Sequence, residues 1–214
     1  MSAEPSPVRT TITPAPNGPY LVKDLKSLAN SAGPLETKAM MALCRCGGSA
    51  KKPFCDGTHK TNGFSDAKLG GRVEDRRDDY AGGEITVHDN RGVCSHAGFC
   101  TDGLPAVFRL KREPWIDPDG APADEVAAAV RMCPSGALSH SVRGVEHGDE
   151  DRQPGLFVSR NGPYFVTGGP LLPGVERGEK VSEEHFALCR CGGSKNKPFC
   201  DGSHWHNGFK DDKN

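Results

Sequence analysis

Leu43-Cys44-Arg45-Cys46-Gly47-Gly48-Ser49 runs through Pro53-Phe54-Cys55-Asp56-Gly57-Thr58-His59 to Asn62-Gly63-Phe64, and the same text returns near the C-terminus. The second copy reads Leu188-Cys189-Arg190-Cys191-Gly192-Gly193-Ser194, then Pro198-Phe199-Cys200-Asp201-Gly202-Ser203-His204, then Asn207-Gly208-Phe209. Both follow one pattern: Cys-x-Cys, eight residues, Cys, three residues, His. Three thiolates and one imidazole from a compact loop form a complete four-ligand metal set. Chance does not readily produce the same four-ligand spacing twice, which outweighs the bland reading of small buried Cys and an ordinary His. The spacing leaves the metal open, because a tetrahedral zinc is satisfied by three Cys and one His.

The residues between the ligands have their own expected tasks. Gly47-Gly48 and Gly192-Gly193 allow close backbone approach, so that N–H groups can hydrogen-bond to sulfur. Asp56 and Asp201 stand where a helix would start after the third Cys, and an Asp N-cap there would fix the following His. Pro53 and Pro198 stiffen the loop. Ordinary turn chemistry would account for these residues equally well.

Both stretches resemble the iron–sulfur domain family named for the sequence Cys-Asp-Gly-Ser-His, the mitoNEET-like proteins. Cys200 to His204 matches that signature letter for letter, and Cys55 to His59 departs from it by Thr58 for Ser. The Ser and Pro between the second and third Cys of the family pattern are present in both copies, as Ser49 and Pro53 and as Ser194 and Pro198. The resemblance implies two 2Fe–2S clusters. In the first, Cys44 and Cys46 hold one iron and Cys55 and His59 the other; in the second, Cys189 and Cys191 hold one and Cys200 and His204 the other. Ser49, Asp56, Ser194 and Asp201 are expected to support these ligands.

A third group lies between the repeats. Cys94 and Cys100 are five residues apart, and a distant Cys133-Pro134 follows. The usual ferredoxin spacing is Cys-x2-Cys-x2-Cys, and Ala97 stands where the middle Cys belongs. The segment from about Glu84 to Val142 resembles the divergent single-cluster ferredoxins described as 4Fe–4S, and equally the small ferredoxins that lack the middle ligand and hold 3Fe–4S. Cys94, Cys100 and Cys133 are the expected ligands of one such cluster, with His96 as a possible fourth donor.

Composition limits the architecture. The 214 residues include 27 Gly, 17 Pro and 7% aromatics, and the mean hydropathy is −0.56. That excludes one large hydrophobic core and favours small modules stapled by metal. Nine Cys in three groups of three suit cluster ligation better than disulfide pairing. A net charge of −1 gives no reason to expect nucleic acid. No apolar run approaches a membrane span. Met1 to Pro7 has the character of neither a secretory signal nor a transit peptide, and free thiolate ligands favour a reducing compartment, so the expected location is cytoplasmic.

The expected fold class is α+β, made of small irregular metal-stapled modules: two β-cap/cluster-loop repeats and a ferredoxin-like α+β centre. Residues 1–15, rich in Ser, Thr and Pro, read as a disordered tail, with a first iron–sulfur repeat over 16–66. A charged linker (67–79) and the central domain (80–145) come next. A second linker (146–155) precedes repeat two (156–214). Asn17-Gly18-Pro19-Tyr20-Leu21-Val22 has its twin in Asn161-Gly162-Pro163-Tyr164-Phe165-Val166, so each repeat also contains strands ahead of its loop. Further strands are expected at Met40–Leu43, Glu84–His88, Ser139–Val142 and Phe186–Leu188, and a helix over Asp124–Met132. The resemblance adds that family members with one motif form strand-exchanged homodimers, so two motifs in one chain are expected to pair internally.

The expected activity is non-enzymatic: electron transfer, or storage and transfer of clusters, with a redox partner protein or an apo acceptor. No flavin, nicotinamide or nucleotide fingerprint is present, so electrons would come from a partner reductase. The alternatives are a zinc-stabilised interaction module and a regulatory subunit of a redox enzyme.

Overall fold

The computed structural model describes residues 9–147 and 149–214. The Met1–Pro7 stretch and the first eight residues of the expected tail lie outside the described residues. The architecture is α+β, mostly short strands with few helices. The first repeat contributes β1 (Thr11–Pro14), β2 (Tyr20–Lys23), β3 (Leu28–Asn30), β4 (Gly33–Pro34) and β5 (Met40–Leu43). The middle contributes β6 (Arg77–Ala81), β7 (Ile85–Asn90), α1 (Phe99–Gly103), α2 (Ala123–Arg131), β8 (Leu138–Val142) and β9 (Val145–His147). The second repeat adds β10 (Gly155–Val158), β11 (Tyr164–Thr167) and β12 (Phe186–Leu188).

Alternation drives the strands of each repeat. In β2, Tyr20 and Val22 are buried while Leu21 and Lys23 are not; in β11, Tyr164 and Val166 play the same part. Ahead of each, Asn17 and Asn161 take positive φ (46 and 49), a conformation Asn tolerates better than most residues. The antiparallel order β1-β2-β5 delivers the chain into Cys44, and β10-β11-β12 delivers it into Cys189.

The two repeats are interlocked. β3, from the first repeat, pairs in parallel with β10 of the second, joining Leu28, Ala29 and Asn30 to Leu156, Phe157 and Val158. Reciprocally, Leu171 of the second repeat bridges Thr11 of the first, with Ile12 N–H donating to Leu171 O at 2.9 Å. Tyr20 and Tyr164 are fully buried and meet edge-to-face at 6.0 Å. A buried phenol needs a polar partner, and each finds it in the other repeat's loop. Tyr20 Oη is 2.9 Å from both Cys189 O and Pro198 O, and Tyr164 Oη is 2.8 Å from Cys44 O and 3.0 Å from Pro53 O.

The middle segment forms the antiparallel sheet β6-β7-β8-β9, with α2 packed against it. Val126, Val130 and Cys133 are buried together on that side, as the helical spacing requires. Among the described residues no helix is long and apolar enough to cross a membrane.

Three boundaries differ from expectation. Residues 11–14 are a strand, not tail: β-branched Thr11, Ile12 and Thr13 pair with β2, and Ile12 is fully buried. Residues 77–79 open β6 instead of closing a solvated linker, because Arg77 and Asp79 satisfy each other across 2.9 Å on an edge strand. Residues 146 and 147 belong to β9, and Gly155 starts β10, so the second linker is shorter than its composition suggested.

Candidate metal centres

Each loop begins where a buried strand ends, which carries the first Cys into the interior: Cys44 is 1% and Cys189 0% exposed. The ligand atoms form pairs. Cys44 Sγ and Cys46 Sγ lie 3.9 Å apart, and Cys55 Sγ lies 3.4 Å from His59 Nδ1. In the second loop the distances are 3.9 Å for Cys189 and Cys191 and 3.5 Å for Cys200 and His204 Nδ1. Such spacings are edges of a tetrahedron with metal–sulfur bonds of about 2.3 Å. Among the described residues, no three of the four ligand atoms of either loop lie within 4.8 Å of one another. Each loop therefore presents two separate pairs and not one convergent set. All nine Cys are free of disulfides.

The supporting residues act on the loop backbone. Ser49 Oγ donates to Phe54 O at 2.7 Å and accepts from Lys51 N; Ser194 does the same with Phe199 O and Asn196 N. Asp56 accepts from Ala50 N through one oxygen and from Thr58 N and Oγ through the other, which holds its carboxyl well below the usual range. Asp201 makes the matching contacts with Lys195 and Ser203. Burial pulls the Asp201 pKa upward, but those hydrogen bonds leave it lowered overall.

The expected Asp N-cap is corrected. The element after the third Cys is one 3-10 turn, Thr58–Lys60 or Ser203–Trp205, capped by Gly57 or Gly202 with φ of 93 and 81. The Asp lies one position earlier and tethers the turn to the loop start. The glycines also do more than expected. Gly48 and Gly193 N–H donate to Cys46 and Cys191 Sγ at 3.4 Å. Gly47 and Gly192, at φ of 75 and 78, lie where the two loops touch. A Cβ on Gly47 would meet Cys191 O at 2.6 Å, and one on Gly192 would meet Cys46 O at 2.6 Å.

Sequence reasoning missed Arg45 and Arg190, the middle residues of Cys-Arg-Cys. Arg190 is 1% exposed, ion-paired to Asp211, and donates to Gly162 O and Ser159 O. Arg45 pairs with Asp66 at 3.2 Å. The available signal was the repeat itself, since both the Arg and its distant Asp recur at matched positions. Tyr20 and Tyr164 were visible in the same way.

Burial pushes the ligand thiols up: Cys44 to about 11, Cys94 to about 12, and Cys200 and Cys100 also upward. Cys191 moves the other way, to about 6, through the hydrogen bond from Cys189 and the Gly193 N–H. The thiols raised by burial stay protonated and unreactive at neutral pH until a metal displaces the proton.

The third group converges on one cavity. Cys94 follows a 3-10 turn (Arg91–Val93), Cys100 lies in α1, and Cys133 follows α2. All three line a cavity of about 540 Å³ together with Trp115. Ala97 also lines it and brings no donor atom. His96, at φ 53, lines it as well, but its ring packs against Gly202 of the second loop.

The model for the "Iron-binding zinc finger CDGSH type" matches residues 17–60 and 161–205, and that for the "Divergent 4Fe-4S mono-cluster" matches residues 80–143. The chain belongs to the CDGSH iron-binding family, with a divergent mono-cluster domain between its two repeats. Uncharacterized protein YjdI of Escherichia coli K12 is 43% identical over 61 residues, 28% of this chain and 80% of the relative. The YjdI of strain O157:H7 matches to the same extent. No solved structure matches. The CDGSH protein is thus an iron–sulfur binding protein.

Proposed function

We propose that this CDGSH protein is a non-catalytic carrier of electrons, with two 2Fe–2S clusters in its loops and one cluster of three or four irons in its centre. The observation that carries this reading is the pairing of ligand atoms, two and two in each loop, with no three of them mutually within 4.8 Å among the described residues. A lone tetrahedral zinc needs all four donors around one point. Cys44 and Cys46 would hold one iron and Cys55 and His59 the other; Cys189 and Cys191, with Cys200 and His204, repeat the arrangement. Bound there, the clusters would supply reversible one-electron chemistry, at a higher potential than all-thiolate sites because imidazole is neutral. The chain's own part is to bury Cys44, Cys189 and Cys200 and to donate N–H groups to the ligand sulfurs. Electrons would come from a partner reductase.

Anaerobically purified protein is expected to contain about seven irons per chain, two plus two plus three. Iron, sulfide and zinc analysis checks this. One zinc per loop with negligible sulfide would overturn the reading.

The central site is proposed as 3Fe–4S, since three Cys hold three corners and Ala97 offers nothing to a fourth iron. The matching family description names 4Fe–4S, so the four-iron form is the competing result. Ala97→Cys is expected to add one iron and to abolish a paramagnetic signal present in the oxidised parent protein. A parent signal that appears upon reduction alone, and disappears in His96→Ala, would instead identify His96 as the fourth ligand.

A further inference from the structure

The two loops are near copies, yet their surroundings differ. Around Gly57 of the first loop, a Cβ would meet nothing within 4 Å. The same atom on Gly202 would lie 2.5 Å from His96 Cδ2, so the imidazole rests directly on the second loop's backbone. Trp205, where the first loop has Lys60, donates its indole N–H to His96 O at 3.1 Å. Asn196, where the first loop has Lys51, donates to Gly92 O at 2.8 Å and to Asp75 at 2.7 Å. Gly92 and His96 stand two residues before and two residues after Cys94. The second loop thus grips the central module on both sides of one of its ligands. On the loop's side, Cys200 and His204 stand two residues either side of Gly202, and the His204 and Trp205 rings meet at 5.3 Å.

We infer that the packed junction between Cys94–His96 and Cys200–Trp205 is the route by which one electron passes from the central site to the second loop, leaving the first loop to face external partners. This rests on the iron–sulfur reading above. With clusters bound at Cys94, Cys100 and Cys133 and at the second loop, the central site would give up one electron and the second loop's site would take it up. No bond forms or breaks and no proton moves. The initial electron comes from a one-electron donor of the reductase class, replaced in the test by dithionite or a photoreduced deazaflavin. The second loop is taken as the acceptor because a neutral His ligand raises its potential above that of an all-thiolate 2Fe–2S site. The contacts of His96 with Gly202 and of Trp205 with His96 O matter here because they supply bridging atoms beside an otherwise open cleft.

The test uses full-length, anaerobically purified protein carrying His59→Cys, which shifts the first loop's spectrum away from the second's. With all sites reduced by dithionite, the second loop's paramagnetic signal is expected to change when the central site is emptied by Cys133→Ala, and the first loop's signal, which faces the second loop at Gly47 and Gly192, is expected to change far less. His96→Ala, with its iron retained, is expected to show a several-fold loss in the rate at which a photochemically injected electron reaches the second loop. If His96→Ala loses central iron, Trp205→Phe provides the same rate comparison. A second-loop signal unchanged by emptying the central site, an equal change in both loops, or an unchanged rate in the iron-replete variant would overturn the inference. Loops that lack iron and sulfide would overturn the underlying iron–sulfur reading instead, and iron analysis separates the two.

Discussion

Asp211→Ala is expected to destabilise the protein by about 3–5 kcal/mol, the usual cost of leaving a buried charge without its partner. Arg190 lies between two ligands, Cys189 and Cys191, and is 1% exposed. Its guanidinium is ion-paired to Asp211, donates to the carbonyls of Gly162 (2.8 Å) and Ser159 (2.7 Å), and stacks 4.9 Å from the centre of the Phe209 ring. The side chain of Asp211 is 2% exposed, so no water stands ready to replace it. The carbonyl contacts would remain, but neither carries the neutralising charge. The equivalent pair in the first repeat, Arg45 and Asp66, is looser: 3.2 Å apart, with Asp66 29% exposed. Arg45 is itself buried (3% exposed), but Asp66 is already partly solvated, so Asp66→Ala is expected to cost less than Asp211→Ala. Urea midpoints of the two variants, measured anaerobically with iron content followed in parallel, check the difference. Equal losses would show that burial does not set the cost.

The internal symmetry explains what the sequence revealed and what it concealed. Ligands were legible because metal chemistry demands particular residue types at fixed spacing, and the repeat supplied a second reading of each. The strands entering Cys44 and Cys189 were legible from apolar residues leading into a ligand. The tight coupling of the repeats was less so. β3 and β10 join in parallel although 124 residues separate Asn30 from Gly155 in the chain, and no local pattern encodes such a partner. Charge misled at residues 67–79. The side chain of Asp75 is 11% exposed and receives Arg72 and Asn196, so a charged run that suggests solvent in fact braces the second loop. Tyr20 and Tyr164 carry a similar lesson. Each looks like a core residue of its own strand, but its hydroxyl reaches the opposite loop, and a one-dimensional pattern has no means of showing that crossing.

Those asymmetric surroundings lead to a difference between the loops in acid. Iron binds neutral imidazole, and protonation competes for the same nitrogen. His204 is 9% exposed, and its pKa is lowered to about 4, first by burial and then by the nearby charge of His96. For a His whose pKa falls on folding, the unfolded chain takes up the proton first. Its stabilising contribution is therefore complete above the ordinary value near 6.5 and is lost as pH falls towards 4. Across that interval the folded second loop keeps the neutral ligand. His59 is only half-buried, with open space around neighbouring Gly57, so water reaches it directly. On lowering the pH from neutrality to about 5, the first loop is expected to release its iron well before the second. Visible absorbance followed against time would resolve two phases. His59→Cys should slow the fast phase, because a thiolate binds iron more strongly than imidazole, whereas His204→Cys should leave that phase unchanged. A single phase, slowed equally by either substitution, would show that the contact with His96 and Trp205 gives the second loop no protection.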